Sequence, residues 1–253
     1  MGIYALSGGA TGIGAAIKQR IIDNGDDIIV VDLKDADITA DLSTDEGRAY
    51  AIEGIRSAAK DGLDGLITCA GLASHVSDHA LISSVNFFGS ISLVEGLKDL
   101  IVKKKGTVVL VSSNSAPMCQ SPEYMDALLA GDEAGSREIA NRIDGHDVYS
   151  GSKQAISPWM RRNIREFAAL GMTINAIAPG YTETPMTQAV AKHPEYGPAI
   201  KEFVASIPLQ RPGQPEDMAD LVEFLLSRKS RFICGSMFYI DGGHDAMLRP
   251  DNI

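Results

Sequence analysis

The chain has 253 residues, 45% of them hydrophobic, with a formal net charge of −10 and a pI near 4.9. This length fits one large domain or two small ones, and the acidic balance argues against nucleic acid or an anionic membrane as partner, because both need clustered Lys and Arg. No apolar run reaches about 18 residues and no signal peptide is visible, so no membrane span is predicted. Three scattered cysteines (Cys69, Cys119 and Cys234) fit no disulfide framework, and we expect a cytoplasmic protein.

The chain begins with a predicted strand at residues 3–6, a glycine-rich turn at 7–14 and a helical run at 15–23. This order is the context of a dinucleotide fingerprint. The first glycine suits a tight turn, the second lets the backbone approach a pyrophosphate, and the third lets helix and strand pack closely. The helix N-terminus adds free N–H groups and a positive dipole end. The predicted phosphate-binding residues are Gly8, Thr11, Gly12, Ile13 and Gly14.

A second predicted strand, at residues 28–32, ends in Asp32. A carboxylate at this point can accept hydrogen bonds from the adenosine ribose and repel a 2′-phosphate. We therefore expect NAD rather than NADP, although Lys34 leaves room for NADP. A short third strand at 37–40 is followed by Asp41 and Leu42, which are included among the predicted cofactor-binding residues.

The next predicted strand, at residues 63–69, ends in Ala70 and Gly71, where a small residue and a glycine fit close passage under a cofactor or an ordinary turn. His75 and His79 lie four residues apart, but a third ligand is not evident, so we predict no metal site.

A long predicted helix, residues 84–104, carries Asn86, and the apolar strand at 106–111 leads to Ser113. Repeated βα alternation predicts a parallel sheet that is covered on both faces. Ligands of such sheets bind beyond the carboxyl ends of the strands, where Ser113, Asp32 and the glycine turn all fall.

Tyr149 and Lys153 lie four residues apart, one turn of a predicted helix, and therefore on one helix face. A fixed ammonium there favours the phenolate and is expected to lower the tyrosine pKa from about 10. Such a tyrosine is a candidate general acid and base. The pair alone is also typical of a solvated helix face, so the rest of the chain must show whether it is catalytic.

That context resembles the short-chain dehydrogenase/reductase family. Seven motifs occur in the family's order over nearly the whole chain: the glycine turn, Ala70-Gly71, Asn86, Ser113, Tyr149-x-x-x-Lys153, Pro179-Gly180 and Asp241-Gly242-Gly243. The resemblance implies one Rossmann-type domain over residues 1–253, an α/β doubly wound parallel sheet of about seven strands with helices on both faces. Cys69 stands where the family has an asparagine, which puts one cofactor-side hydrogen bond in doubt.

The resemblance also implies the roles of the site residues. Ser113 would hydrogen-bond the carbonyl oxygen and Tyr149 would deliver the proton, while Lys153 would also bind the nicotinamide ribose. Asn86 would hold a water that links Lys153 to solvent. The further cofactor contacts are expected from Cys69, Ala70, Gly71, Pro179, Gly180, Thr182 and Thr184.

An insertion at residues 114–148 separates Ser113 from Tyr149, and it is longer than is usual in the family. Two short helices are predicted in it, at 122–129 and 133–143, on either side of Gly131. The insertion either covers its own hydrophobic stripe, or forms a partner surface or a substrate wall. We expect a homo-oligomer, a dimer or tetramer, without assigning the interface.

Residues 181–209 contain helical pieces interrupted by prolines and glycine, and we predict a substrate lid there. Its apolar side chains either contact a bulky substrate or pack the lid onto the body, and they are Met186, Val190, Phe203, Val204 and Ile207.

The sequence thus predicts an NAD(P)-dependent oxidoreductase that interconverts a secondary alcohol and a ketone. Local strings around the insertion and the C-terminal tail are similar to the hydroxysteroid and carbonyl-reducing members of the family, which implies a 3α-hydroxysteroid, a 3-oxosteroid or a xenobiotic carbonyl. One alternative is a smaller aryl or alicyclic alcohol, as in the coniferyl-alcohol type of enzyme. The other is a dinucleotide-binding regulatory or scaffold protein without turnover.

Overall fold

A computed structural model describes residues 1–185, 187–188 and 197–251. Within them, seven strands form one parallel sheet in the order β3-β2-β1-β4-β5-β6-β7, which confirms the predicted sheet. The order starts in the middle at β1 and runs outward in both directions, so it is doubly wound. The strands are β1 (Ile3–Ser7), β2 (Asp27–Asp32), β3 (Ile38–Thr39), β4 (Gly65–Thr68), β5 (Thr107–Val111), β6 (Thr173–Pro179) and β7 (Met237–Ile240).

Helices cover both faces of this sheet and bury two apolar cores. The strands β4, β5 and β6 are buried along their whole length because both of their faces are covered. The helices are α1 (Gly12–Asp23), α2 (Asp45–Ala58), α3 (His79–Ser83), α4 (Ser90–Lys104), α5 (Pro122–Ala130), α6 (Glu133–Ala140), α7 (Gly145–Gln154), α8 (Ile156–Ala169), α9 (Gly197–Ser206), α10 (Pro215–Leu226) and α11 (His244–Leu248).

The helix predicted at 84–104 differs from the structure in two ways. It begins five residues earlier, at His79, and residues Ser84–Gly89 form a π-helical turn between α3 and α4. A π turn carries an extra residue and is common at functional sites. Here it carries Asn86.

The helix that follows Tyr149 is interrupted in the structure. α7 ends at Gln154 and α8 begins at Ile156, with Ala155 between them. Pro158 explains the position of the break, because proline has no N–H to donate to the carbonyl four residues earlier, that of Gln154.

The stretch from His79 to Lys104 is long and apolar enough, by length and composition, to cross a membrane, with a mean hydropathy of 1.4 over its most apolar window. By that measure the expectation of no span-length apolar segment was wrong. In the structure, 67% of the window is buried within the molecule, as is usual for the core helix of a globular fold.

Candidate active site

The carboxyl ends of the parallel strands bring most of the predicted site residues to one edge of the sheet. A backbone hydrogen bond joins two of the loops there, since the Asn114 N–H donates to the Pro179 carbonyl at 3.0 Å. The residues at or just beyond the strand ends are Asp32 at the end of β2, Ala70 after β4, Ser113 after β5 and Pro179 at the end of β6.

The glycines of the turn occupy positions where a side chain would be strained or would clash. Gly8 and Gly12 have positive φ angles of +79° and +57°, which side-chain-bearing residues rarely adopt. A Cβ at Gly8 would lie 2.5 Å from the Ala70 nitrogen, and one at Gly14 would lie 1.8 Å from the Gly8 carbonyl oxygen. The glycines therefore let the end of β1, the start of α1 and the loop after β4 touch.

The N-terminus of α1 offers hydrogen-bond donors at this edge. Thr11 is its N-cap, and no side chain in the described part of the chain caps the first turn. Ile13 is partly buried against the second apolar core, which fixes the turn. A Cβ at Gly12 would lie 3.1 Å from Cγ2 of Thr184, so the loop after β6 approaches the turn. The uncapped N–H groups and the helix dipole fit the pyrophosphate of a dinucleotide.

Asp32 is held by the backbone around it. Its carboxylate accepts the Ala10 N–H at 2.9 Å and the Leu33 N–H at 2.7 Å. An ionised carboxylate has about four acceptor positions, so two such bonds leave capacity for hydroxyl donors such as those of a ribose. The residues present therefore fit an adenosine without a 2′-phosphate.

Asp41 and Leu42 lie beyond the neighbouring strand, β3. The Asp41 carboxylate accepts the Ser43 N–H at 2.9 Å, which shapes a turn before α2. The Leu42 side chain is buried in the main core, and its carbonyl accepts a hydrogen bond from Arg48 at 2.8 Å. Sequence reasoning missed Arg48.

The loop after β4 passes close to the catalytic candidates. A Cβ on Gly71 would lie 3.3 Å from both Oδ1 of Asn86 and Nζ of Lys153, so a side chain there would press on both groups. Cys69 precedes it, and burial raises the pKa of its thiol to about 11 although the Lys153 charge works to lower it. The thiol is therefore neutral at physiological pH.

Asn86 is fully buried in the π turn and fixes the same loop. Its Oδ1 accepts the Leu72 N–H at 2.7 Å, and its Nδ2 donates to the Leu72 carbonyl at 3.0 Å and to Oγ of Ser152 at 3.1 Å. Ser152 in turn donates to the Tyr149 carbonyl at 2.7 Å. Sequence reasoning missed Ser152, although its place between Tyr149 and Lys153 on a buried helix was a usable signal.

Lys153 is 4% exposed and its ammonium donates to the Val111 carbonyl at 2.9 Å. The Ser112 hydroxyl donates to the Lys153 carbonyl at 2.8 Å, which ties α7 to the end of β5. Burial lowers the pKa of Lys153 to about 8. Burial thus disfavours the charged form of this amine, and such shifted pKa values are common at functional sites.

Tyr149 is half-buried on the same helix, and burial raises its pKa above the ordinary value, opposed by a hydrogen bond with Ser113. The expectation that Lys153 lowers this pKa was wrong for the protein alone. The reason is that desolvation dominates and the ammonium is directed to a backbone carbonyl instead. The Ser113 hydroxyl, itself buried, also shares a hydrogen bond with Oγ of Ser115 at 3.0 Å.

The segment after β6 uses its hydroxyls internally. Thr182 is 4% exposed and donates to the Gly180 carbonyl at 3.0 Å, while the Thr184 and Thr187 hydroxyls lie 3.2 Å apart. Their expected contact with a nicotinamide amide stays a prediction. In the predicted lid, Phe203 packs edge-on at 6.1 Å from the Tyr181 ring. Met186 and Val190 lie outside the described residues.

Sequence reasoning missed Asn114 and His244, which form a polar group with Asp241 next to Ser113. Nδ2 of Asn114 lies 3.3 Å from Oδ2 of Asp241, and the ring of His244 is within 3.5 Å of the same amide. The Phe203 ring contacts His244 at 4.8 Å between centroids. These residues join the loop after β5 to the C-terminal tail and to α9.

The insertion is packed into the body of the protein. Tyr124, Leu128, Ile139 and Ala140 belong to the main core. A Cβ on Gly151 would lie 2.7 Å from the Tyr124 ring, so α5 rests directly on α7. A cavity of about 550 Å³ opens beside it, lined by residues 117–120, Asp144, His146 and Asp147. The apolar stripe of the insertion is therefore buried against the body of the protein.

The histidine pair has a local explanation. The ring of His79 lies 3.2 Å from the Ile143 carbonyl, a contact with the insertion. No group of three His, Cys, Asp or Glu side chains that could hold a metal ion occurs in the described residues.

A doubly wound parallel sheet with a glycine turn at its first βα junction and a Ser-Tyr-Lys group at its carboxyl edge defines a nucleotide-dependent oxidoreductase of Rossmann type. Models of known families match in two parts: short chain dehydrogenase over residues 3–125, and Enoyl-(Acyl carrier protein) reductase over residues 135–245. The chain belongs to the short-chain dehydrogenase/reductase family.

Relatives at full length support this assignment. The chain is 38% identical to 3-alpha-hydroxysteroid dehydrogenase/carbonyl reductase of Comamonas testosteroni, over 99% of both chains. It is 28% identical to cyclohexanol dehydrogenase of a Rhodococcus species, over 95% of both. Among solved structures, it is similar to 3-alpha-hydroxysteroid dehydrogenase of Pseudomonas sp. B-0831 complexed with NADH, with a TM-score of 0.93, 37% identity and coverage of 99% of this chain and 100% of that one.

Proposed function

We propose that this oxidoreductase interconverts a secondary alcohol and a ketone with NAD, and that its substrate is a 3α-hydroxysteroid, a 3-oxosteroid or a xenobiotic carbonyl. The observation that carries the proposal is the hydroxyl-phenol-ammonium group of Ser113, Tyr149 and Lys153 beside the glycine turn. The substrate class is supported by the names of the two relatives that are 37% and 38% identical over nearly the full chain.

The proposed chemistry assigns one task to each side chain. In ketone reduction, Ser113 donates a hydrogen bond to the carbonyl oxygen, where negative charge grows, and Tyr149 delivers the proton to that oxygen. In alcohol oxidation, Tyr149 accepts the hydroxyl proton. NAD, when bound, supplies or accepts the hydride. Asn86 fixes the loop that passes Lys153, and Lys153 binds the nicotinamide ribose.

The proposed cofactor site consists of the glycine turn, Asp32, the Asp41–Leu42 segment, residues 69–71 and residues 179–184. Asp32 supports NAD over NADP because a 2′-phosphate would meet its carboxylate. We propose that the chain acts as one domain with the insertion at 114–148 and a lid at 181–209, in a reducing cytoplasm that keeps Cys69, Cys119 and Cys234 as thiols.

We also propose a homo-oligomer. Large apolar side chains in the C-terminal part of the chain are exposed, and burial of such side chains between subunits would remove them from water. They include Phe224, Phe232, Tyr239, Met247 and Leu248. Light scattering after size exclusion tests this proposal, and a mass of 26.9 kDa, that of one chain, would contradict it.

Turnover of a ketone panel tests the proposed function. We expect NADH absorbance to fall with 3-oxosteroids and aromatic ketones, and to rise with NAD and 3α-hydroxysteroids. Activity confined to cyclohexanol and similar small alcohols would favour the alternative that the Rhodococcus relative supports. NADH binding without turnover of any member would favour a scaffold protein.

A further inference from the structure

Arg48 on α2 is a buried arginine, with 5% of its side chain exposed. Its two Nη atoms donate to the Glu133 carboxylate at 2.6 and 2.7 Å. Two-pronged pairs of this kind are strong and fix the orientation of both groups. Because Glu133 is the first residue of α6, the pair joins the insertion to α2.

The same guanidinium contacts one segment of the proposed cofactor site and the turn that carries Asn86. Its Nε donates to the Leu42 carbonyl at 2.8 Å, and Nη2 donates to the Ser84 carbonyl at 3.0 Å. Ser84 begins the π turn that carries Asn86. The two segments also touch, since a Cβ on Gly89, the last residue of that turn, would lie 3.2 Å from Leu42.

Glu133 is the charge that balances Arg48. Burial works to raise the pKa of Glu133, but hydrogen bonds from Arg48 and Ser84 and the charges of Arg48 and Arg137 outweigh it, so the pKa lies below its ordinary value. Arg137, also on α6, donates to Oγ of Ser84 at 2.7 Å. The insertion therefore contacts the start of the π turn directly as well as through Arg48.

We propose that Glu133 and Arg48 are positioning residues for the cofactor, and that the insertion braces the adenosine side of the site. This inference rests on the proposed use of NAD. The pair fixes the carbonyl of Leu42 and with it the Asp41–Leu42 segment. The Asn86 side chain is held independently by Leu72 and Ser152, so the reacting groups keep their places when the brace is lost.

The test is the variant Glu133→Gln, which keeps the shape of the side chain and removes its charge. We expect the Kd for NADH, from fluorescence titration, and the KM for NAD to rise about tenfold, with kcat within about twofold of wild type. If the variant only folded less completely, fewer active molecules would remain. The apparent kcat would then fall while KM stayed unchanged.

The matched control is Asp99→Asn. It removes the carboxylate that pairs with Arg56 at the other end of α2, where Arg56 likewise donates to a carbonyl, that of Gly96, at 2.6 Å. This pair is more exposed, 36% and 57%, and contacts none of the proposed cofactor segments. We expect wild-type NADH affinity.

A second variant keeps the test valid if Glu133→Gln does not fold. Replacing the buried pair with apolar side chains, Arg48→Met with Glu133→Leu, often preserves stability. Wild-type stability with weakened NADH binding in this double variant supports the brace. Wild-type NADH affinity in either variant, or a loss of kcat alone, overturns it. Failure of the wild-type protein to bind NADH would instead overturn the proposed function.

Discussion

Lys153 combines a charge with almost complete burial. A buried ammonium loses its hydration, which lowers its pKa and costs free energy of folding as long as it stays protonated. The hydrogen bond to the Val111 carbonyl offsets only part of this cost. Sites that need such a charge commonly trade stability for activity.

The variant Lys153→Met is therefore expected to be more stable than wild type at neutral pH. The folded-state pKa of about 8 lies below the ordinary 10.5, so the unfolded chain binds more protons between these values and wild-type stability rises across that window. Below pH 8 the full penalty applies, up to about 3 kcal/mol. The variant also loses the hydrogen bond to the Val111 carbonyl, which costs about 1 kcal/mol. The free energy of unfolding should therefore rise by about 1–3 kcal/mol.

Urea unfolding of the protein without cofactor measures this difference at pH 7 and again near pH 10. The difference in free energy of unfolding between variant and wild type should be smaller at the higher pH. The variant should also be inactive. A variant less stable than wild type at pH 7 would show that the ammonium contributes favourably to folding.

Tyr149 leads to a prediction about the pH dependence of the rates. Because burial raises its pKa, the phenol is protonated at neutral pH and ready to donate. We expect kcat/KM for ketone reduction to be level through neutral pH, and kcat/KM for alcohol oxidation to climb as the pH rises. An oxidation rate that is already level below pH 7 would contradict a raised pKa.

At the scale of elements, the insertion is held by α3 as well as by α2 and α7. The Tyr124 hydroxyl on α5 lies 2.6 Å from Oγ of Ser83, and both residues are fully buried. A buried hydroxyl that loses its partner carries the full cost of desolvation. Each hydroxyl can be removed by a substitution that changes the packing little, Tyr124→Phe or Ser83→Ala.

A double-mutant cycle on this pair gives the next prediction. Tyr124→Phe and Ser83→Ala should each lower the free energy of unfolding by about 1–2 kcal/mol, because each leaves one buried hydroxyl alone. The double variant should cost about as much as one single variant, since it leaves neither. Denaturant unfolding measures all three, and strictly additive costs would mean that the hydroxyls do not interact.

For the molecule as a whole, local sequence patterns were sufficient for the sheet and for the glycine turn. Apolar strand segments that alternate with helices predict a parallel sheet from local sequence alone. The position of Asp32 at the carboxyl edge of that sheet follows because it ends a strand. The roles of the site residues stay predictions, but the structure brings Asn86 and Lys153 to the same loop, and Ser113 acts to lower the pKa that burial raises at Tyr149.

What the sequence could not reveal depends on contacts between distant segments. Arg48 and Glu133 are 85 residues apart, and neither stands in a periodic pattern that marks a partner. The raised pKa of Tyr149 follows from its burial in the assembled fold, which no local spacing encodes. The π turn at Ser84–Gly89 likewise begins without a proline or glycine, so no local sign of an irregular turn is present in the sequence.

The central claim is that Tyr149 exchanges the proton with the substrate oxygen beside a bound nicotinamide. Single-turnover measurement of NADH oxidation by a 3-oxosteroid, in wild type and in Tyr149→Phe, tests it most directly. We predict a rate lower by about 10²–10⁴-fold in the variant, the usual share of a general acid, with the Kd for NADH nearly unchanged. A variant that transfers hydride at close to the wild-type rate would contradict the account.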